Sequence, residues 1–349
     1  MPTLAVLLAA IAATSPPSVS TRNVTLRLDE ARHTLAVTIG PFHVPQSPMM
    51  MGDMMMMRRD HGTIEGAFAW PVNARFHGVK LEVIDSAGNP LPRRLLHHTY
   101  MLTFDRRQLV DAIAERPFSF GEETEDVTLP TKVGLPMQAG MRLCIVIMWD
   151  NLTGHEVDGA YVRYTFALNP PHRRPAPFDI LPFSVNVHHT FGVPDGFEVP
   201  PGGLVLTKEF TVSTSGHLLA ASGHLHDHAV MLRVEDVVSG RTLATVRTRR
   251  DSTGHTLRVE RPIFALWHRG PHFKAGHPYR LVVVYDNPTR DTLINAMGII
   301  GGLYVPDRLR NWPAVDPQNV DYQRDKEGFP GVDSVLATLG SMVETSSSH

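Results

Sequence analysis

Short runs in which apolar and polar residues alternate dominate the chain. "NVTLRL", "TLAVTI", "VKLEVID", "YVRYTFAL", "LVLTKEFTV", "AVMLRVEDVV" and "TLATVRT" are examples, bounded by Gly, Pro, Asn or Asp. Period two is the signature of strands with one face buried, and polar turns at this spacing join antiparallel neighbours. "MRLCIVIMW", "YRLVVVYD" and "GIIGGLYV" also suit strands bounded by turn residues. Only "RRQLVDAIAER" (106–116) and "VDSVLATLGSMV" (332–343) carry helical spacing. The pattern predicts an all-β fold of antiparallel sandwiches, jelly-roll-like in kind.

An internal repeat divides this pattern. "AGMRLCIVIMWDNLT" (139–153) and "AGHPYRLVVVYDNPT" (275–289) align without a gap, sharing Ala-Gly, Asp-Asn after an aromatic residue, and a closing Thr. His98 and His228 each stand three residues before a Met-Leu pair, and "GPFHVP" (40–45) and "LPFSVN" (181–186) open the two copies. A repeat of this length predicts two tandem β-sandwich domains, residues 21–170 and 183–306. The proline-rich "NPPHRRPAPFDILP" supplies a linker at 171–182, since proline cannot join a central ladder. Residues 307–349 are expected to wrap the surface or fray.

Composition narrows the function. The chain has 349 residues, a formal charge of -2 and 42% hydrophobic residues, enough for real cores and without the basic surface that nucleic acid requires. Residues 1–20 contain a short apolar run, Leu4 to Ala13, then small residues and a Pro/Ser break. They read as a secretory signal lacking the usual basic start, which predicts an exported protein, periplasmic or secreted. No later stretch has the length of a membrane span. The lone Cys144 cannot form an internal disulfide and is expected to be buried as a small hydrophobe. Nineteen histidines and fifteen methionines are the unusual feature, a supply of soft and borderline donors.

Those donors are not scattered at random. In "ASGHLHDHAVMLRV" (221–234), His224, His226 and His228 occupy alternate positions, so a regular strand would present all three on one face. A polar solvent face has the same pattern; a metal chelate uses it. Met297, in "INAMGIIGGLYV", lies in the closing strand of the same domain. In "RRLLHHTYML", His97 and His98 are adjacent. Neighbours in a regular strand face opposite ways, so a shared ion would need a bulge, a strand end or different ring nitrogens. "SPMMMGDMMMMRRDH" (47–61) packs seven methionines into nine positions before His61, as a Cu(I) trap or an adaptable apolar loop would. "VNVHHTFG" (185–192) adds a second His-His pair, a weaker candidate.

A His-His pair in one β-domain, then His-x-His and a lone Met in a second, resembles the copper type II, ascorbate-dependent monooxygenases. The resemblance spans roughly residues 70–305 and includes "AGM" before an apolar strand. It implies two copper ions: one on His224, His226 and Met297, where oxygen is activated, and an electron-supplying one on His97 and His98 across a solvent-filled cleft. It further implies an external reductant such as ascorbate, a small-molecule or peptide substrate, and hydroxylation of an activated C–H bond. The chain departs from that family in lacking a third first-domain histidine between residues 99 and 138, a place Thr128 is expected to take, and in lacking disulfides. Two other functions fit the same residues. One is a non-catalytic periplasmic copper-binding or delivery protein on the same scaffold. The other is a zinc hydrolase using His224, His226 and His228 with an open position for water.

Overall fold

The computed structural model describes residues 23–46, 63–121, 126–151, 153–189, 196–264 and 270–346. The stretch expected to be a secretory signal, the methionine run with His61, and residues 190–195 lie outside them. Strands dominate the described residues, paired almost throughout as antiparallel sheets in two successive sandwiches.

The first sandwich contains β1 (Val24–Asp29), β2 (Thr34–Val44), β3 (Ile64–Ala69), β4 (Ala74–Ile84), β5 (Leu96–Arg107), β6 (Ala114–Gly121), β7 (Val127–Thr128), β8 (Val133–Met137), β9 (Arg142–Trp149) and β10 (Val157–Leu168). One sheet runs β1-β2-β10-β4-β8, and the other β3-β9-β5-β6. After a two-residue strand β11 (Phe178–Asp179) comes the second sandwich. It contains β12 (Leu181–Asn186), β13 (Phe197–Val199), β14 (Leu204–Phe210), β15 (Gly216–Leu225), β16 (Ala229–Asp236), β17 (Thr242–Arg250), β18 (Thr256–Val259), β19 (His272–Phe273), β20 (Tyr279–Tyr285), β21 (Leu293–Ala296) and β22 (Gly298–Pro306). Its two main sheets run β12-β22-β15-β19 and β14-β20-β16-β17-β18.

With the short accessory strands set aside, each sandwich has eight strands in the same connectivity. Numbered along the chain within each copy, one sheet is ordered 1-8-3-6 and the other 2-7-4-5. That is a double Greek key, the jelly roll. The repeat read in the sequence is thus a repeat of topology, and its best-preserved element is a corner. Asn151, fully buried, donates to the Val44 and His155 carbonyls at 3.2 and 2.8 Å and accepts from the Thr153 amide and hydroxyl at 3.1 and 2.6 Å. Asn287 donates to the Val199 and Asp291 carbonyls at 3.0 and 2.8 Å and accepts from Thr289 at the same two distances. Each corner satisfies backbone groups that the end of a strand leaves unpaired inside the protein.

Two segments differ from their sequence expectation. Residues 106–116 form no helix. They are the end of β5, a six-residue connection and the start of β6, and Leu109 enters the core of the second roll. Ser213 donates to the Leu109 carbonyl at 2.8 Å, and Lys208 pairs with Asp111 at 3.2 Å. Leu109 and Val110 serve docking between rolls. The linker is not free either: Phe178 and Asp179 pair in parallel with Val133 and Gly134 of β8. Residues past Pro306, as far as they are described, wrap the first roll as helices, the second of which contains the helical spacing read at 332–343. They form α1 (Val320–Glu327) and α2 (Val332–Ser346), which return to the first roll. Tyr322, Phe329, Val332, Val335, Leu336 and Leu339 pack on Leu102, Phe104, Cys144 and Val146. This second cover explains why β9 is apolar on both faces, with Leu143, Ile145 and Ile147 turned to the roll's own core. Cys144 is buried as expected, and burial pushes its thiol up to about 12.

Candidate metal centre between the two rolls

The two histidine motifs meet. Across the junction of the rolls, His98 Nε2 lies 3.4 Å from His224 Nε2, and His226 Nε2 lies 3.1 Å from His224 Nε2. The His97 ring stands edge-on to His98 with centroids 3.9 Å apart. All four imidazoles are half-buried. The resemblance implied two ligand sets on opposite sides of a cleft; in this structure they form one row, with His224 at its middle.

Local backbone geometry explains the row. β5 pairs Leu96 with Trp149 but His98 with Met148, so β5 carries one residue more than β9 over that step. The extra residue is His97, and the bulge turns two consecutive side chains toward one side. On β15, alternation places His224 and His226 together without a bulge. It stops there. The chain turns at His226–Ala229, closed by the Ala229 amide donating to the His226 carbonyl at 3.2 Å. His228 takes a left-handed φ of 65°. Its ring lies so close to Gly254 that a Cβ there would stand 2.3 Å from it. The third imidazole therefore leaves the face that the sequence pattern assigned to it, which removes the three-histidine set on which the zinc reading was built.

Met297 is half-buried and follows β21 directly. The β15–β22 ladder ends with Leu225 opposite Gly298, one residue short of both His226 and Met297. The Tyr285 hydroxyl joins the same two residues, accepting from the His226 amide at 3.1 Å and donating to the Met297 carbonyl at 2.5 Å. A second methionine stands at the other end of the row, where sequence reasoning placed none. Met148 is the direct cross-strand partner of His98, and such partners have Cβ atoms about 4.5–5.5 Å apart on one face. Thr128 does not take the missing place: it pairs with Gly78 in the opposite sheet. His43 is bound to Asp158 at 2.6 Å on the exposed side of β2. In the second His-His pair, His188 stands edge-on to Phe197 at 6.1 Å.

The electrostatics suit a neutral donor set. Burial, then the neighbouring His224 and His97 rings, push His226 down to about 3, while a hydrogen bond from its ring to the Asn295 backbone acts the other way. Two nitrogens held by one ion at ordinary bond lengths in tetrahedral geometry stand about 3.4 Å apart. The spacings of 3.1 and 3.4 Å are of that size. An ion between His98 and His224, or between His224 and His226, uses the rings nearly as they stand; a third imidazole on the same ion requires a ring to rotate. Among the described residues, one set of three His, Cys, Asp or Glu donors lies mutually within 4.8 Å, and it is elsewhere: His217, His272 and Asp307.

No protein-family model matches the chain, and no curated relative is similar at a significant level. Solved structures similar to it are viral shells. The cowpea mosaic virus top component is 10% identical, with a TM-score of 0.31 over 90% of this chain and 99% of that one. The infectious bursal disease virus VP2 subviral particle is 12% identical, with a TM-score of 0.24 over 87% and 76%. The mavirus major capsid protein is 9% identical, with a TM-score of 0.29 over 86% and 93%. Among the described residues, no helix is long and apolar enough to cross a membrane.

Proposed function

We propose that the chain is a copper protein whose ligands come from both jelly rolls, and that it uses the bound copper to hydroxylate an activated C–H bond with dioxygen and an external reductant. The observation that carries this reading is the 3.4 Å contact between His98 and His224, which joins ligand motifs 126 residues apart in the sequence. Neutral imidazoles serve both Cu(I) and Cu(II), and thioethers favour Cu(I). Met148 is the cross-strand partner of His98, and Met297 adjoins the end of the ladder formed by the strand that carries His224. A mixed set of this kind suits an ion that cycles between oxidation states, and zinc would rarely select it. The overall reaction balances as R–H + O2 + 2e⁻ + 2H⁺ giving R–OH + H2O, with ascorbate as the two-electron donor. The bound metal supplies the oxygen chemistry. The protein's part is to hold the imidazoles neutral and oriented and to limit water at a half-buried junction.

The test has two arms. Anaerobic Cu(I) titration of the wild type and of His98→Ala and His224→Ala should show both rolls contributing to one site. Oxygen uptake with ascorbate and a glycine-extended peptide or phenethylamine-type substrate should then yield product carrying one atom of labelled O2. Tight copper binding without product beyond that of free copper would replace the enzyme with a copper-binding or delivery protein. That second reading is favoured by the merging of the two donor sets, since a pair of imidazoles 3.4 Å from the reactive set is no remote electron store.

A further inference from the structure

His217, His272 and Asp307 stand at the far end of the strand that carries His224. Seven residues of β15 separate His217 from His224, about 23 Å of extended chain. The three side chains come from different strands. His217 on β15 is the direct cross-strand partner of His272 on β19, with ring centroids 4.5 Å apart. Asp307 follows the last residue of β22 and is tied back by its amide, which donates to the Ser215 carbonyl at 2.9 Å. The Asp307 carboxylate reaches His272 Nε2 at 3.0 Å.

The geometry points to a second divalent-metal site here, of the two-imidazole, one-carboxylate kind that takes zinc. One donor atom from each residue lies within 4.8 Å of the others. His217 Nδ1 donates to the Gly270 carbonyl at 3.0 Å, which holds the proton on that nitrogen and leaves Nε2 as the lone pair. This is the arrangement by which a backbone carbonyl orients a ligating imidazole. An ion pair between His272 and Asp307 would need no second ring with its tautomer fixed beside it. His217 is half-buried, whereas His272 and Asp307 are more exposed, so a fourth position opens to water. Two nitrogens and one carboxylate oxygen exclude a preference for calcium or magnesium.

The site also has a place in the fold. Asp307 is where the chain leaves the second roll, before Trp312 donates to the Arg107 carbonyl at 2.9 Å and the helices pack on the first roll. An ion held by β15, β19 and Asp307 clamps that exit.

Zinc chloride titration against a chromophoric chelator tests this in the full chain, in wild type, Asp307→Asn, His272→Gln and a His98→Ala/His224→Ala variant. Wild type should gain melting temperature with zinc. Asp307→Asn and His272→Gln should lose one equivalent, or bind it at least ~10-fold more weakly, while the double variant keeps that equivalent. Co(II) loading should give visible d–d bands that vanish in Asp307→Asn. Asp307→Asn preserves shape, and melting without zinc monitors its folding. The same number of equivalents at the same affinity in wild type and both single variants overturns the site. Loss of the equivalent only in the His98/His224 variant overturns it too.

Discussion

The two rolls share topology and corner but differ in how each presents histidine. The first uses adjacent residues and needs a bulge at His97 to bring them together. The second uses alternate residues on a regular strand and ends the alternation with a left-handed turn at His228. Their outer faces differ too. The β9 sheet of the first roll is covered by α2, whereas Val205 on β14, in the equivalent sheet, is 59% exposed. One architecture thus accepts two solutions to the same local problem. What fixes the direction of each side chain is register, a property of strand pairs.

The corners offer the strongest test of equivalence. Asn151→Ala and Asn287→Ala should each cost about 3 kcal/mol, because each leaves one buried carbonyl, one part-buried carbonyl and a threonine without their partner. Denaturant midpoints measure it, and a difference above about 1 kcal/mol between them would mean that the corners carry unequal loads. The next effect separates His224 from His228. His224→Ala removes the member common to both short contacts and should weaken Cu(I) by ~100-fold, about 2.7 kcal/mol. His228→Ala should leave that affinity within ~3-fold, and equal losses would restore the three-histidine face.

Covering by helix is tested through Leu336 and Cys144. Leu336→Ala should destabilise the chain by about 2 kcal/mol and make Cys144 react with a thiol reagent that does not touch the wild type. A thiol that reacts equally in both would show the helices to be loosely seated. The methionines give a smaller effect. Met148→Leu and Met297→Leu conserve volume and should each weaken Cu(I) by ~10-fold while leaving Cu(II) almost unchanged, since a thioether discriminates between the two. An effect at Met297 alone would restore the inequality of the two rolls that the resemblance implied.

The strands and the all-β, repeated plan were legible because alternation and turn residues are local signals, whereas the order of strands within each sheet was not. The Asp-Asn-x-Thr corner shows in the letters because each of its donors and acceptors is specific. His224, His226, His97 and His98 were legible as residue types. Their meeting was not, because no one-dimensional spacing reports a contact between β5 and β15. Met148 was hidden in "IVIMW", where a methionine looks like core, and only the pairing of β5 with β9 sets it opposite His98. Leu109 and Val110 belong to a run with helical spacing yet follow the demand of a neighbouring roll. His217, His272 and Asp307 lie too far apart in the chain to form a motif.

The hairpin turns sharpen the comparison at its smallest scale. The β5–β6 connection is buried against the second roll, while the β16–β17 turn is closed by its own Asp236. That carboxylate accepts from the Val238 and Ser239 amides at 3.0 and 2.9 Å and takes His277 Nε2 at 3.0 Å. The Ser239 amide first, then the His277 contact, hold Asp236 down at about 2. Its ordinary value in an unfolded chain is about 3.9, so the folded state binds this proton less readily than the unfolded one. The stability it adds is therefore present in full above about pH 4 and is lost as pH falls through about 2. Asp236→Asn, which keeps one acceptor but not the charge, should lower the melting temperature slightly at pH 7, and that difference should close between pH 4 and pH 2. A gap that persists unchanged at pH 2 would assign the effect to shape and remove the charge from the account of this turn.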